Sequence, residues 1–185
     1  MAMNILGIDF EEWYHPELIK NHVKVDQKIP KVFKGMDKIL DLLNKHNISA
    51  TFFVVGEILQ HDPELIDKII SNDHEIAFHT MHHDRVDSPN FSNNFNYELK
   101  EFQKLTNNKS KGFRAPTFSL NEKSSFVIEM LEKYNYIYDS SIMPAKTSMY
   151  GNPNADKKPY KITSKNLENN SKNGKLWEFP LMVTK

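Results

Sequence analysis

Two histidines four residues apart, His79 and His83, close the stretch His74-Glu75-Ile76-Ala77-Phe78-His79-Thr80-Met81-His82-His83-Asp84. The stretch begins apolar and ends polar, as a buried strand does when it delivers side chains to the rim of a site. Imidazole is the commonest protein ligand for borderline metals, and two at this spacing can share one ion if the backbone turns between them. With eight histidines in the chain, a pair in an ordinary surface loop is the bland alternative. A carboxylate from elsewhere would decide between them: Asp9-Phe10-Glu11-Glu12 is the first source and Asp139 a later one, with the guanidinium of Arg114 between them in the chain. If these meet at one mouth, the two imidazoles and one acid form a ligand set with open positions. A spare acid could then take a proton from metal-bound water, and Arg114 could fix its orientation.

The chain has no cysteine, so a metal here must be held by nitrogen and oxygen. A zincin needs His-Glu-x-x-His, whereas His74-Glu75 is followed by a histidine only at position 79. A non-haem iron oxygenase shares the ligand types, but its scaffold is usually all-β.

The elements that must position these residues alternate. Asn4 to Ile8 reads as a first strand bounded by Asp9, and residues 15–29 as a loop. Pro30 opens a helix with Val32, Met36, Ile39, Leu40 and Leu43 on one face, ending near His46-Asn47. Residues 49–55 are nearly continuous in apolar and β-favouring types, as in a parallel strand covered on both faces. Asp62-Pro63-Glu64 caps a helix carrying Leu65, Ile66, Ile69 and Ile70. After the His74–His79 strand, Phe95, Leu99, Phe102 and Leu105 repeat at helical spacing until Asn107-Asn108. Gly112 to Ala115 is a short strand stopped by Pro116, and Ser119 with Glu122 forms a capping box for a helix through Phe126, Val127, Met130, Leu131 and Tyr134. Tyr136-Ile137-Tyr138 leads into Asp139. Polar residues follow the strands repeatedly, which fits a (β/α) barrel or an open α/β sheet. Residues 145–173, rich in Pro, Asn and Lys with an Asn173-Gly174 turn, read as a long exposed excursion before the apolar run 176–183.

With 185 residues and 39% hydrophobic content, residues 1–185 are expected to form one domain. Lys plus Arg and Asp plus Glu are 24 each, which argues against a nucleic-acid partner. No window approaches the ~20 apolar residues of a membrane span. The start lacks a basic n-region, so the expectation is a cytoplasmic chain. A chain that stops just after an apolar run is expected to be a fragment, or to complete its sheet through a partner copy in a homo-oligomer.

The segments LGIDFEEWYH, ATFFVVGEILQHDPELIDKIISNDHEIAFHTMHH, GFRAPTFSL, YIYDSSIMP and LWEFPLMV resemble the polysaccharide deacetylases of carbohydrate esterase family four, the nodulation-factor deacetylase homology domain. The similarity is to the branch with Asp-x-Glu and Tyr-Asp-Ser-Ser motifs and spans nearly the whole chain in order. It implies a distorted (β/α) barrel incomplete at its C-terminal end, a divalent metal, commonly zinc, and hydrolysis of an N-acyl group from an N-acetylated polysaccharide or oligosaccharide. By the same resemblance Asp9 matches the catalytic base, and His79 and His83 the metal-binding pair. Glu11 matches the carboxylate ligand, with Glu12 as fallback. Arg114 matches the arginine that steadies the base, Thr117 the residue whose N–H helps hold the oxyanion, and Asp139 a pocket-wall aspartate that supports Arg114.

The family usually supplies a late histidine as general acid, and no histidine follows His83 in this chain. His15 is a substitute or a rim contact, His82 a neighbour without a role, and His22, His46, His61 and His74 surface or packing residues. Two competing readings are a sugar-binding relative without turnover and a metal-free amidase acting on a small cyclic amide.

Overall fold

The computed structural model describes residues 5–183, so Asn4, the expected start of the first strand, lies outside the described residues. Among those described, seven strands form one sheet in the order β1-β2-β3-β4-β5-β7-β6. They are β1 (Gly7–Phe10), β2 (Thr51–Val54), β3 (Glu75–Phe78), β4 (Gly112–Phe113), β5 (Tyr138–Asp139), β6 (Tyr160–Ile162) and β7 (Leu176–Glu178). All neighbours pair in parallel except β6, which runs antiparallel to β7. The sheet is open, with β1 and β6 at its edges, as an incomplete (β/α) barrel must be.

The helices are α1 (Glu17–Lys20), α2 (Phe33–Lys45), α3 (Gly56–His61), α4 (Leu65–Ile70), α5 (Phe91–Leu105) and α6 (Phe126–Lys133). The three-and-four spacing read from the sequence marks the faces they bury: Met36, Leu40 and Leu43 on α2, Phe95, Leu99 and Phe102 on α5, and Val127 and Leu131 on α6. Under α5 the ring of Phe78 lies against those of Phe95, Phe102 and Phe113, and each fully buried side chain of this size contributes about 1.5–3 kcal/mol. No helix among the described residues is long and apolar enough to cross a membrane.

Register sorts side chains between the two faces of the sheet, because residues opposite one another in parallel strands point the same way and their chain neighbours point the other way. Phe113, Asp139 and Glu178 stand in one row, and Phe113 faces the helices. Asp9 shares a row with Phe53 and Ala77 on the interior face.

Four local expectations are corrected. The first strand runs Gly7–Phe10 and ends two residues later than the apolar run suggested, so Asp9 lies inside it. A short helix, α3, follows β2 directly, and α4 begins after Glu64 with no side-chain cap from Asp62. The capping box belongs to Asn121 and Ser124, while Ser119 Oγ donates to the Pro116 carbonyl and accepts from the Val86 N–H. The 145–173 segment is only partly exposed. Tyr160 and Ile162 form a strand, Ala155 and Leu167 are buried, and Tyr160 Oη donates to the Leu167 carbonyl at 2.7 Å. Its polar composition hid two apolar residues at strand spacing.

Candidate active site

The interior face at the exits of β1, β3 and β4 gathers the acidic, imidazole and guanidinium groups. Arg114, the residue after β4, points inward and donates from Nη1 to Asp9 Oδ1 at 2.7 Å. Its fork is fixed on the other side by Ser140: Nε donates to the Ser140 carbonyl and Nη2 to Ser140 Oγ, both at 2.9 Å. The guanidinium also lies 4.0 Å from the centre of the Phe53 ring, and Gly7 leaves room for it, since a Cβ there would stand 2.8 Å from Nη2. Three hydrogen bonds and a stacked face leave one orientation for the group that holds Asp9.

His79 and His83 are both buried. His79 Nδ1 donates to the Arg114 carbonyl at 2.7 Å, and His83 Nδ1 to the His15 carbonyl at 3.1 Å. A carbonyl only accepts, so each Nδ1 carries the proton and each Nε2 is turned to the site. Burial, the largest influence, pushes the His79 ring down to about 4 against the opposing pull of Asp9, so the ring is neutral at neutral pH. Its Nε2 has no partner among the described residues. His83 Nε2 lies 2.8 Å from Glu11 Oε2, and the two imidazole centres are 5.0 Å apart. A contact of that kind needs either a proton on Nε2 or a cation between two lone pairs.

The chain reverses between the two imidazoles because Thr80 and His83 adopt left-handed conformations, φ 58° and 55°. Thr80 O accepts from the Gly56 N–H and Met81 O from the Glu57 N–H, each at 2.9 Å, so the first turn of α3 clamps the histidine turn. Glu98 Oε2 accepts from the Met81 N–H at 3.1 Å, and Thr80 Oγ1 from the Asp84 N–H.

Among the described residues no three His, Asp or Glu side chains already close a coordination shell. Glu11 and His83 touch, and His79 stands beside them with a free buried lone pair. The donor set, neutral nitrogen with carboxylate oxygen, fits a divalent metal such as zinc. Glu12 does not join it: its carboxylate accepts from the Lys31 and Val32 N–H groups at the start of α2. His15 is no free acid either, since Nδ1 accepts from the Glu12 N–H and Nε2 faces Glu57 at 2.8 Å. His15 acts through its carbonyl, which orients His83. His82 is not idle, for its Nδ1 meets the other oxygen of Glu57 at 2.9 Å.

Thr117 lies in a turn that starts at Pro116, with φ 54°, and is half-buried. Phe118 follows it, with its ring 5.8 Å from the Arg114 guanidinium and 5.2 Å from Tyr150. These rings lead into a cleft of about 470 Å³ lined also by Asp87, Asn121, Asn152 and Asn166.

Asp139 is the expected residue that the structure places elsewhere. It stands on the helix-facing side of β5, fully buried, and the support of Arg114 comes from its neighbour Ser140. Sequence alone does not fix which face a two-residue strand presents. Ser140 was therefore missed as a site residue, although it sits within the Tyr-Asp-Ser-Ser segment, and Glu57, on α3, was missed because no motif marks it.

Comparison with known proteins bears on this geometry. The profile of the family described as Polysaccharide deacetylase matches residues 28–136, a stretch that includes His79, His83, Arg114 and Thr117 but not Asp9, Glu11 or Asp139. A chitooligosaccharide deacetylase of Bradyrhizobium sp. (strain ANU 289) is 47% identical over 45 residues, 24% of this chain and 20% of that protein. The peptidoglycan-N-acetylmuramic acid deacetylase PdaA of Bacillus subtilis (strain 168) is 41% identical over 46 residues, 25% of this chain and 18% of that protein. These matches span about a fifth of each relative. In fold, a Mycobacterium smegmatis structure carrying the polysaccharide deacetylase label superposes with a TM-score of 0.69 at 22% identity, over 96% of this chain and 57% of that one. PuuE allantoinase superposes with a TM-score of 0.58 at 19% identity, over 80% of this chain and 44% of that one. With the family profile covering more than half of its length, including the histidine turn and the arginine beside it, the chain belongs to the polysaccharide deacetylase family.

Proposed function

We propose that the chain is a metal-dependent hydrolase that removes N-acetyl groups from an amino-sugar polysaccharide, releasing acetate and leaving a free amine. Glu11, His79 and His83 would hold the metal, with zinc the ion the donor set suits best. When bound, the ion supplies Lewis-acid polarisation of the acetamide carbonyl and a more acidic water. Asp9, oriented by Arg114, accepts the proton of the attacking water. The Thr117 N–H donates to the oxygen on which charge grows, a contribution of up to several kcal/mol in a site that excludes water. Phe118 and Tyr150 offer ring faces, and Asn121 and Asn152 offer amides, to sugar units next to the one that reacts.

The observation that supports this reading best is one cluster on the interior face. It holds an Arg-fixed acid beside a carboxylate–imidazole contact and a second imidazole whose buried Nε2 is unpartnered. The test is acetate release from chitin oligomers, peptidoglycan fragments and N-acetylated exopolysaccharide, with zinc added and with chelator. Zinc-dependent acetate release is expected. Saturable sugar binding without acetate would point instead to a non-catalytic relative. Chelator-insensitive hydrolysis of a small cyclic amide would replace the proposal with an amidase.

A further inference from the structure

Asp139 and Glu178 are both fully buried and stand opposite one another across β5 and β7, within reach of each other's carboxyl groups, and Glu178 Oε2 has no donor among the described residues. Two carboxylates cannot both stay charged at that separation out of water, so one proton lies between them. Three of the four carboxyl oxygens also accept other bonds, which leaves Glu178 Oε2 for the shared proton. Asp139 Oδ1 accepts from Ser141 Oγ at 2.5 Å and Oδ2 from the Ser141 N–H at 3.3 Å, while Glu178 Oε1 accepts from the Ile142 N–H at 3.0 Å. Ser141 Oγ in turn accepts from the Ala115 N–H at 2.8 Å. The pair therefore fixes the backbone immediately after β4 and β5 from the helix-facing side. On the other side of that backbone, Ser140 holds two nitrogens of Arg114 and donates to the Phe179 carbonyl at 2.8 Å.

Burying two acids is costly, and an apolar pair of similar volume would serve packing alone at least as well. What an apolar pair could not do is accept from Ser141 and Ile142. We infer that Glu178 is a positioning residue: by sharing a proton with Asp139 it fixes the 139–142 backbone, so that Ser140 presents Arg114, and Arg114 presents Asp9, in one orientation. This inference rests on the role proposed above for Asp9, and its geometric half stands apart from any activity. Burial raises both acids, and the other groups that feel the pair are Arg114 from the β4 side and Tyr160 from β6.

The test compares Glu178→Gln, Glu178→Leu and wild type. Gln carries its own donor for Asp139 and its own acceptor for the Ile142 N–H, so it stands in permanently for the protonated acid. The first readout needs no substrate: the exchange-protected Arg114 Nε–H in a proton–nitrogen spectrum, which reports the bond to the Ser140 carbonyl. It is expected to persist in Glu178→Gln and to vanish or broaden in Glu178→Leu. In acetate release, Glu178→Leu should lose kcat on the order of 100-fold with KM little changed, while Glu178→Gln stays close to wild type. An Arg114 signal unchanged in a folded Glu178→Leu variant would reduce the pair to packing and overturn the inference. Equal damage from Gln and Leu would overturn the shared proton. An intact Arg114 signal pattern with no acetate from any variant would refute the deacetylase reading and leave the positioning role standing.

Discussion

Gly56→Ala tests whether the first turn of α3 sets the histidine turn. A Cβ at Gly56 would stand 2.2 Å from Met81 Sδ, 2.8 Å from its Cε and 3.3 Å from its Cα. The thioether could swing away from the first two contacts, but Met81 is only 3% exposed, and the third contact is with backbone. Two opposed effects must be weighed. Alanine in a helix is worth up to about 1 kcal/mol over glycine, whereas overpacking a filled site costs about 1–3 kcal/mol. The net expectation is a loss of about 1–2 kcal/mol, or roughly 2–8 °C in Tm for a chain of this size. The functional effect should be larger than the stability effect suggests, because the strained segment is the one pinned at Thr80 O and Met81 O. Displacing a support of a metal-binding histidine typically lowers affinity about 10–100-fold. Zinc titration calorimetry and thermal unfolding on the same preparation measure both. In a Met81→Ala background most of the Gly56→Ala cost should disappear, because Sδ and Cε are gone and only the 3.3 Å approach to the Cα remains. Wild-type zinc affinity in Gly56→Ala, or an undiminished cost in the Met81→Ala background, would refute the clamp.

Further expectations concern single groups. Asp9→Asn should lower turnover by about 10²–10⁴-fold, the usual worth of a general base, with zinc affinity retained; wild-type rates would remove Asp9 from the mechanism. Glu11→Gln and His79→Ala should lose stoichiometric zinc by elemental analysis, and full occupancy in either would remove that residue from the ligand set. Arg114→Lys cannot reproduce the fork to Asp9 and Ser140, so acetate release should fall while zinc binding persists. Glu57 is held well below the ordinary carboxylate range, chiefly by its bond to His15 and then by His82. A depressed acid contributes stability that is present above its unfolded value of 4.5 and is lost as pH falls through the folded one. Glu57→Gln should therefore lower stability near pH 6 and flatten the acid limb of a denaturant series run from pH 3 to 7. An unchanged limb would show that the pair carries no linkage.

Much of the scaffold was legible because helices and parallel strands write their burial into the sequence at different periods. Met36, Leu40 and Leu43 mark α2, and the unbroken run of β-favouring and apolar residues 51–54 marks a strand covered on both faces. The histidine spacing and the acids at the first strand likewise named the residues that meet at the site. Facing was not legible in short strands. In Tyr138-Asp139 either residue could have turned inward, and only the register with Phe113 and Glu178 sends Asp139 outward and leaves Ser140 to Arg114. Nor could spacing choose between Glu11 and Glu12. In the structure the N–H groups at the start of α2 take Glu12 as their acceptor, while Glu11 meets His83. The segment around Tyr160 misled because polar composition outweighed two apolar residues.

Backbone conformation separates scaffold from site more sharply than composition does. Among the described residues, ten other than glycine have positive φ, and six of them, Asn47, Asp73, Asn90, Asn107, Asn108 and Asn135, are asparagine or aspartate, which enter that region easily. The other four are Thr80, His83, Thr117 and Phe118, of which only His83 is also a type enriched there, and all lie in the two segments that carry the imidazole pair and the Thr117 N–H. Strain of this kind costs of order 1–3 kcal/mol per residue and persists only where surrounding bonds over-determine the backbone. At Thr80 those bonds are the Gly56 N–H to its carbonyl and the Asp84 N–H to its hydroxyl; near Thr117 they are the Ala115 N–H to Ser141 Oγ and the Phe118 N–H to the Ala115 carbonyl. A glycine at any of the four would have been the easier residue. A side chain is retained at each instead, and the cost of holding it is met by hydrogen bonds from α3, Asp84 and the turn after β5.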